Sequence, residues 1–299
     1  AVRRILVIQT AFLGDVILAT PVLEALRQLY PDAQVDILVR KDHEGLLRNH
    51  PGAQQILTLD KNQPKLRELS RLIRLIRRQQ YDGVINIQRF AATGLLTALS
   101  GAKWKAGFWK NPFSRLFSHR VPHNLGTKPG SPHEVDRNLA LLPEWKDHSR
   151  LRPSLYPSEA DHQAVKEYQE YPYVVIAPTS VWYTKQYPTA AWLKLLATQA
   201  LQPYPVYLVG GPDDQAFCDH LTAHTRHPAV HNLAGRLSFL QTAALIGHAT
   251  MTYCNDSAPL HMASATNAPV TAIFCSTIPA FGFGPLSDQS HVVEAATDL

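Results

Sequence analysis

The chain has 299 residues, of which 45% are hydrophobic and 18% charged, with a formal net charge of +5. That length suggests two domains, and the composition is that of a globular protein rather than a disordered or fibrous one. No apolar run reaches the roughly 18 residues of a membrane span, Ile5–Gln9 is too short for a signal peptide, and three cysteines without metal-ligand spacing fit a reduced compartment, so the expectation is a cytoplasmic protein.

The charge is unevenly spread. Residues 1–150 hold 23 Lys and Arg against 13 Asp and Glu, a net +10, whereas residues 151–299 hold 6 against 11, a net −5. A basic half beside an acidic half points to an anionic partner for the first: a phosphorylated glycolipid, a membrane surface or nucleic acid. The competing reading is a solvated basic helix, because Arg67, Arg71, Arg74, Arg77 and Arg78 crowd one segment.

Along the chain, β-rich runs at Ile5–Gln9, Val35–Val39, Gln55–Leu59 and Gly83–Ile87 alternate with helical stretches at Val16–Leu29, near Glu44–Asn49 and at Lys65–Arg78. In the last, Leu66, Leu69, Leu72, Ile73 and Ile76 recur at three- and four-residue steps and make one apolar face. Residues 108–132 carry four prolines and read as a long irregular segment. A helix is expected at His133–Leu142, then a polar linker from Pro143 to Pro157. The alternation restarts with strands at Tyr173–Ala177, Val206–Val209, Thr250–Cys254 and Val270–Phe274. Helices are expected at Ser158–Tyr168, Thr189–Ala200, Asp213–His224, Ser238–Gly247 and Pro259–Thr266. The summary is an α/β chain of two tandem doubly wound, Rossmann-like domains facing a central cleft, residues 1–150 and 151–299.

In open parallel sheets ligands bind beyond the carboxyl ends of the strands, so chemistry is sought in the loops that follow them. The first is Thr10–Asp15. Gly14 permits a tight turn, and Asp15 is either a helix cap or a carboxylate base. No Gly-x-Gly-x-x-Gly follows any strand. The second loop, Pro178–Lys185, offers Thr179, Ser180, backbone amides and Lys185, one of six cations in the acidic half, as phosphate ligands or as ordinary surface groups. The third, Gly210–Asp214, places Asp213 and Asp214 where an acid can bind ribose or cap a helix. The fourth is Cys254–His261. Here Asp256 and Ser257 read as a cap, Pro259 suits a first helical turn, and the helix start attracts phosphate. His261 either faces the ligand or packs. The chain has no Asp-x-Asp and no metal-ligand cluster, so no metal is expected.

Four passages together resemble the bacterial ADP-heptose:lipopolysaccharide heptosyltransferases, glycosyltransferase family 9, of GT-B fold. They are Arg4–Ile8 with Leu13-Gly14-Asp15-Val16 and Thr20-Pro21; His133-Glu134-Val135-Asp136-Arg137; Thr179, Lys185, Pro188 and Trp192; and Asn255-Asp256-Ser257-x-Pro259-x-His261. The resemblance implies an inverting, metal-independent transfer with an ADP-sugar as co-substrate and no cofactor. Asp15 would be the general base and Lys185 the phosphate ligand. Asp256, Ser257, Ala258 and His261 would lie at the donor, and Asp213 or Asp214 at the ribose. Gly14, Arg89 and Arg120 are the acceptor-side candidates on the first domain. The acceptor would be a phosphorylated lipopolysaccharide core, met by a peripheral protein at the inner membrane.

Two departures stand out. Ala258 replaces the usual glycine, and the chain starts without Met and stops soon after Val270–Phe274, where relatives continue, so an incomplete chain is expected. Rival readings are another GT-B transferase or epimerase, or an inactive nucleotide- or glycan-binding relative. A nucleic-acid binder is disfavoured, since no such motif is present.

Overall fold

The computed structural model describes residues 2–146 and 151–295. They form two compact units. One comprises the described residues up to Leu125 together with Pro132–Pro153; the other comprises Gly126–Ser131 and the described residues from Ser154 onward. The division thus falls at Pro153 and gives one short piece of the first half to the second unit. Residues 147–150 of the expected linker lie outside the described residues.

The first unit runs β1 (Arg4–Ile8), α1 (Leu13–Leu29), β2 (Gln34–Arg40), β3 (Gln55–Leu59), α2 (Lys65–Gln79), β4 (Gly83–Asn86), α3 (Ala91–Ala98), β5 (Trp104–Phe108), β6 (His119–Val121) and α4 (Glu134–Leu139). Its six strands are all parallel, in the order β3-β2-β1-β4-β5-β6. Ile5, Leu6, Val7 and Ile8 of β1 are fully buried, as a central parallel strand covered on both faces requires. On one face Leu69, Leu72 and Ile76 of α2 pack against Leu6, Ile8, Leu38 and Val84.

The second unit runs α5 (Glu159–Ala164), β7 (Val174–Ala177), α6 (Thr189–Leu196), β8 (Val206–Leu208), α7 (Gln215–His224), β9 (Val230–Asn232), α8 (Phe239–Gly247), β10 (Met251–Asn255), α9 (Ala258–Thr266), β11 (Val270–Phe274) and β12 (Ser290–Glu294). Its sheet, again all parallel, has the order β12-β11-β10-β7-β8-β9. Counted from the first strand of each unit, both sheets read 3-2-1-4-5-6, so both are doubly wound as the alternation predicts. Trp192 and Leu196 of α6 and Cys218 and Leu221 of α7 fill the core beside Ile176 and Leu208.

The elements hidden from sequence reading are short or polar. Residues 108–132 are not irregular throughout: β5 enters them, and β6 lies within them. The pattern Trp-Lys-Ala-Gly-Phe gives no alternation, and β6 has only three residues. β9 and β12 are edge strands, and β12 is largely exposed, Val292 and Val293 included. α3 is short and rich in small residues. Its Gly94 is required by packing, since a Cβ there would lie 2.1 Å from Asn111 Oδ1. Near Glu44–Asn49 the chain makes a 3₁₀ turn, Lys41–Leu47, instead of an α-helix.

Two residues of the opening motif have a structural role. Pro21 lies inside α1 and cannot donate to the Ile17 carbonyl. The Thr20 hydroxyl donates to that carbonyl instead, at 2.6 Å. One residue on, buried Asn138 of α4 donates to the Leu18 carbonyl at 3.1 Å.

At the other end of α1, buried His50 accepts a hydrogen bond at Nδ1 from the Gly52 amide, 3.0 Å, and sits 3.5 Å from Glu24. Burial chiefly, with a contribution from Arg27, pulls its pKa down to about 4. The unfolded chain takes up this proton near pH 6.5, so stability is full above that pH and falls as the pH drops toward 4. In urea titrations, the acid limb of the stability profile should be shallower in His50→Gln than in the parent chain. Superimposable limbs would remove His50 from the acid response.

Candidate active site

A strand order that reverses beside its first strand leaves a crevice at the carboxyl ends of the two strands flanking the reversal. In the second unit these are β7 and β10, which are hydrogen-bonded neighbours. The loop after β7 and the start of α9 are thereby brought together by topology, before any side chain acts.

Asn255, the fully buried last residue of β10, then ties the β7 loop at both ends. Its Nδ2 donates to the Pro178 carbonyl at 2.9 Å, and its Oδ1 accepts from the Tyr187 amide at 2.9 Å. Next to it, Asp256 Oδ2 accepts from Lys185 Nζ at 2.7 Å and from the Thr277 hydroxyl at 2.8 Å. Asp256 is 5% exposed, so removing its charge from water is offset by the two short bonds. The Lys185 side chain keeps 24% exposure. Thr179 and Ser180 are half-buried in the same loop, and Gln186 bonds the Ser180 carbonyl at 2.8 Å. Sequence reading missed Asn255 as a tether and Thr277 altogether; only the fold brings Thr277 to the loop.

Helix α9 begins at this point. Ser257 is its N-cap residue, but its side chain makes no capping bond; the Ser257 hydroxyl donates to the Asn255 carbonyl at 3.4 Å. The expected Asp-Ser cap is therefore absent, because Asp256 is engaged with Lys185. Ala258 is the first helical residue and Pro259 the second. His261 is buried one turn in.

The loop after β8 gives its two aspartates different places. Asp214 accepts from the Gly211 amide at 2.7 Å and packs on Gly210, where an added Cβ would lie 2.7 Å from its carboxylate. It serves the turn, while Asp213 is exposed.

The first unit repeats the logic at β1 and β4, also paired neighbours. The Gln88 side chain, buried after β4, accepts from the Thr10 amide at 2.8 Å and hydroxyl at 2.6 Å. Asn111 donates to the Gln88 and Phe90 carbonyls, both at 3.1 Å. These amides fix the loop that leads into α1. Gly14 is the second residue of that helix rather than part of a turn, since α1 starts at Leu13. Asp15, half-buried in the first turn of α1, accepts from the Phe12 amide at 3.2 Å, a backbone-capping bond. Arg89 follows β4 and is half-buried; Arg120 lies exposed within the edge strand β6.

A cleft of about 510 Å³ opens beside this loop, lined by Phe12, Arg40, Lys61, Lys65, Gln88 and Phe90 among others. The Arg40 guanidinium lies 5.8 Å from the centre of the Phe12 ring, within cation–π reach. Burial, then the Arg40 charge, lowers the pKa of Lys61, and Asp60 and Glu68 line the same cleft.

The His133–Arg137 passage proves to be a buried bracket. Glu134 receives His123 at 3.0 Å and the Arg137 guanidinium at 2.6 Å, while Arg137 also donates to the Pro132 carbonyl at 2.8 Å. Both bases hold the Glu134 pKa below its ordinary value against the effect of burial. Among the described residues, no three His, Cys, Asp or Glu side chains are placed to share a metal ion.

The sequence model of glycosyltransferase family 9 (heptosyltransferase) matches residues 69–298. The chain belongs to this family. The lipopolysaccharide heptosyltransferase 3 of Escherichia coli strain K12 is 30% identical over 297 residues, covering 88% of this chain and 80% of that protein. Among solved structures, E. coli ADP-heptose lps heptosyltransferase II superposes with a TM-score of 0.82 at 23% identity, covering 97% of this chain and 90% of the other. E. coli heptosyltransferase WaaC with ADP gives 0.76 at 19%, covering 98% and 93%. As a family 9 member the chain is a glycosyltransferase of lipopolysaccharide biosynthesis.

For this family 9 chain, Asn255 has a measurable consequence. Replacing it by Ala leaves the Pro178 carbonyl and Tyr187 amide without their partner, a loss of about 1–3 kcal/mol. Amides of residues 179–187 should exchange with solvent roughly 10–100-fold faster, with α7 unchanged. Unaltered exchange in the loop would show that Asn255 does not hold it.

Proposed function

We propose that this glycosyltransferase moves heptose from ADP-heptose to a sugar of the lipopolysaccharide inner core, with inversion at the anomeric carbon and without a metal. The observation that carries the reading is the Lys185–Asp256 pair at the crevice of the second sheet, beside a helix start whose N-cap side chain makes no capping bond. An ammonium and helix amides together suit a diphosphate. Family membership supplies the class of sugar and acceptor.

Asp15 takes the proton of an acceptor hydroxyl. The hydroxyl oxygen then forms its bond to the anomeric carbon as the bond from that carbon to the phosphate oxygen breaks. The departing oxygen keeps the electron pair, and ADP leaves as an anion. Lys185 and the Ser257 and Ala258 amides at the start of α9 meet that charge, while Asp256 and Thr277 keep the ammonium in place. The Phe12 amide, bonded to Asp15, positions the carboxylate. On the acceptor side, Arg40, Lys61 and Lys65 offer cations to a phosphorylated core, with Arg89 nearby in sequence at the end of β4. Such an acceptor is carried by the inner membrane, so the work is done at its cytoplasmic face.

General base catalysis contributes about 10²–10⁴-fold. Asp15→Asn should therefore lose that factor in turnover with ADP-heptose and a core acceptor, while ADP affinity stays near that of the parent. Turnover within a few-fold of the parent would remove Asp15 from the base role. Inactivity of the parent chain with ADP-heptose, together with activity on a different nucleotide sugar, would overturn the donor assignment.

A further inference from the structure

Helix α2 is two-faced in a way that core packing does not explain. Leu69, Leu72 and Ile76 are buried, as is Glu68. Directly opposite, Arg67, Arg71, Arg74 and Arg78 stand at steps of four, three and four residues, so they form one exposed stripe. From Arg67 to Arg78 the stripe runs about 16 Å along the helix axis, at 1.5 Å per residue.

The balance of charge along it is one-sided. Arg71 is satisfied locally, bonded to Glu68 at 2.9 Å and to the Thr58 carbonyl at 2.7 Å. The others are not neutralised: among the described residues no carboxylate lies within ion-pair distance of Arg67, Arg74, Arg77 or Arg78. Arg74 and Arg77 bond only the backbone carbonyls of Ser70 and Leu99. A helix stabilised by its own ion pairs would interleave acids at four-residue spacing, and this one does not.

A second observation extends the surface. At its far end the stripe enters a groove of about 640 Å³, which Arg77 and Arg78 line together with Arg3, Arg4 and Lys103. The one acid lining it, Asp82, is held by Lys103 at 2.7 Å and by the Arg3 and Arg4 amides at 2.8 and 3.1 Å. Those bonds drive its pKa far below the usual carboxylate range, so it stays ionised and occupied. At the near end, Leu66 is 81% exposed, an apolar side chain beside the cations.

We infer that the solvent face of α2, from Leu66 and Arg67 to the Arg3–Arg78–Lys103 groove, is a docking surface for an anionic phospholipid bilayer. Arginine suits lipid phosphates because its planar fork donates two parallel hydrogen bonds to one phosphate. A long, nearly straight row of cations suits a flat anionic sheet. The inference deepens the proposed function and rests on it for the purpose of docking, which is to bring the enzyme to a lipid-borne acceptor; the surface itself is tested without turnover.

The test is cosedimentation of the full chain with vesicles of phosphatidylglycerol and phosphatidylcholine, against vesicles of phosphatidylcholine alone. The parent should bind the anionic vesicles only, and release them as sodium chloride is raised. Each basic side chain near such a surface is worth about fivefold in partition, so Arg67→Gln/Arg74→Gln/Arg78→Gln should bind about 100-fold more weakly. Transfer to a delipidated, soluble core acceptor should be unchanged in that variant, which separates loss of docking from loss of the proposed reaction. Equal vesicle binding by variant and parent, or parent binding that ignores lipid charge, would overturn the inference. A short RNA duplex bound through the same arginines, with vesicles ignored, would also overturn it in favour of a nucleic-acid surface.

Discussion

The reversal of strand order beside the first strand of each sheet is the constraint on which the rest of this chain depends. It makes β1 and β4, and likewise β7 and β10, adjacent and parallel. Their following loops must then emerge side by side at one end of the sheet. In each unit a buried side-chain amide uses that adjacency. Asn255 binds the loop after β7 at both ends; Gln88, itself held by Asn111, binds the loop after β1. Buried amides of this kind are costly unless satisfied and strongly orienting when they are. Of the catalytic candidates, Lys185 sits on a loop fixed in this way and Asp15 in the first turn of the helix that such a loop leads into.

The Lys185–Asp256 pair is better understood as positioning than as stability. A buried ion pair gains little over apolar packing of the same shape. Here the carboxylate is buried and the ammonium is partly open, and Thr277 sets the carboxylate from the other side. The arrangement holds a cation at the helix start, with its charge available to a second anion. It also accounts for an acid beside a phosphate-type helix start, which would otherwise repel the ligand.

Much of this was legible in the sequence, for identifiable reasons. The amphipathic pattern of α2 is strongly periodic, the continuous apolar runs of β1, β7 and β11 mark buried strands, and three of the four family passages coincide with the loops at the two reversals. Asp256 and Lys185 were both expected at the donor side, and they meet. Their bond to each other was not legible, because 71 residues separate them and only strand order brings them together. The same holds for Thr277, Gln88 and Asn111, whose types are common and whose spacing carries no signal. β5, β6, β9 and β12 were missed because these edge and near-edge strands are short, polar or glycine-containing. The His133–Arg137 passage stood out as a motif, yet its side chains serve a buried bracket with His123, and the residue after it, Asn138, pins α4 to α1. A recognisable motif thus marked architecture there, and at Asp256 it marked the partner of Lys185.

The central claim is that Lys185, held by Asp256, is the seat of the donor diphosphate. It is tested most directly by calorimetric titration of ADP, with UDP as comparator and a chelator present, into the parent chain and into Lys185→Ala. A charge-assisted hydrogen bond to phosphate is worth about 1.5–3 kcal/mol, so the account predicts ADP affinity about 10–100-fold weaker in the variant, and a parent that prefers ADP to UDP without metal. Equal ADP affinity in parent and variant would contradict it and place the diphosphate elsewhere.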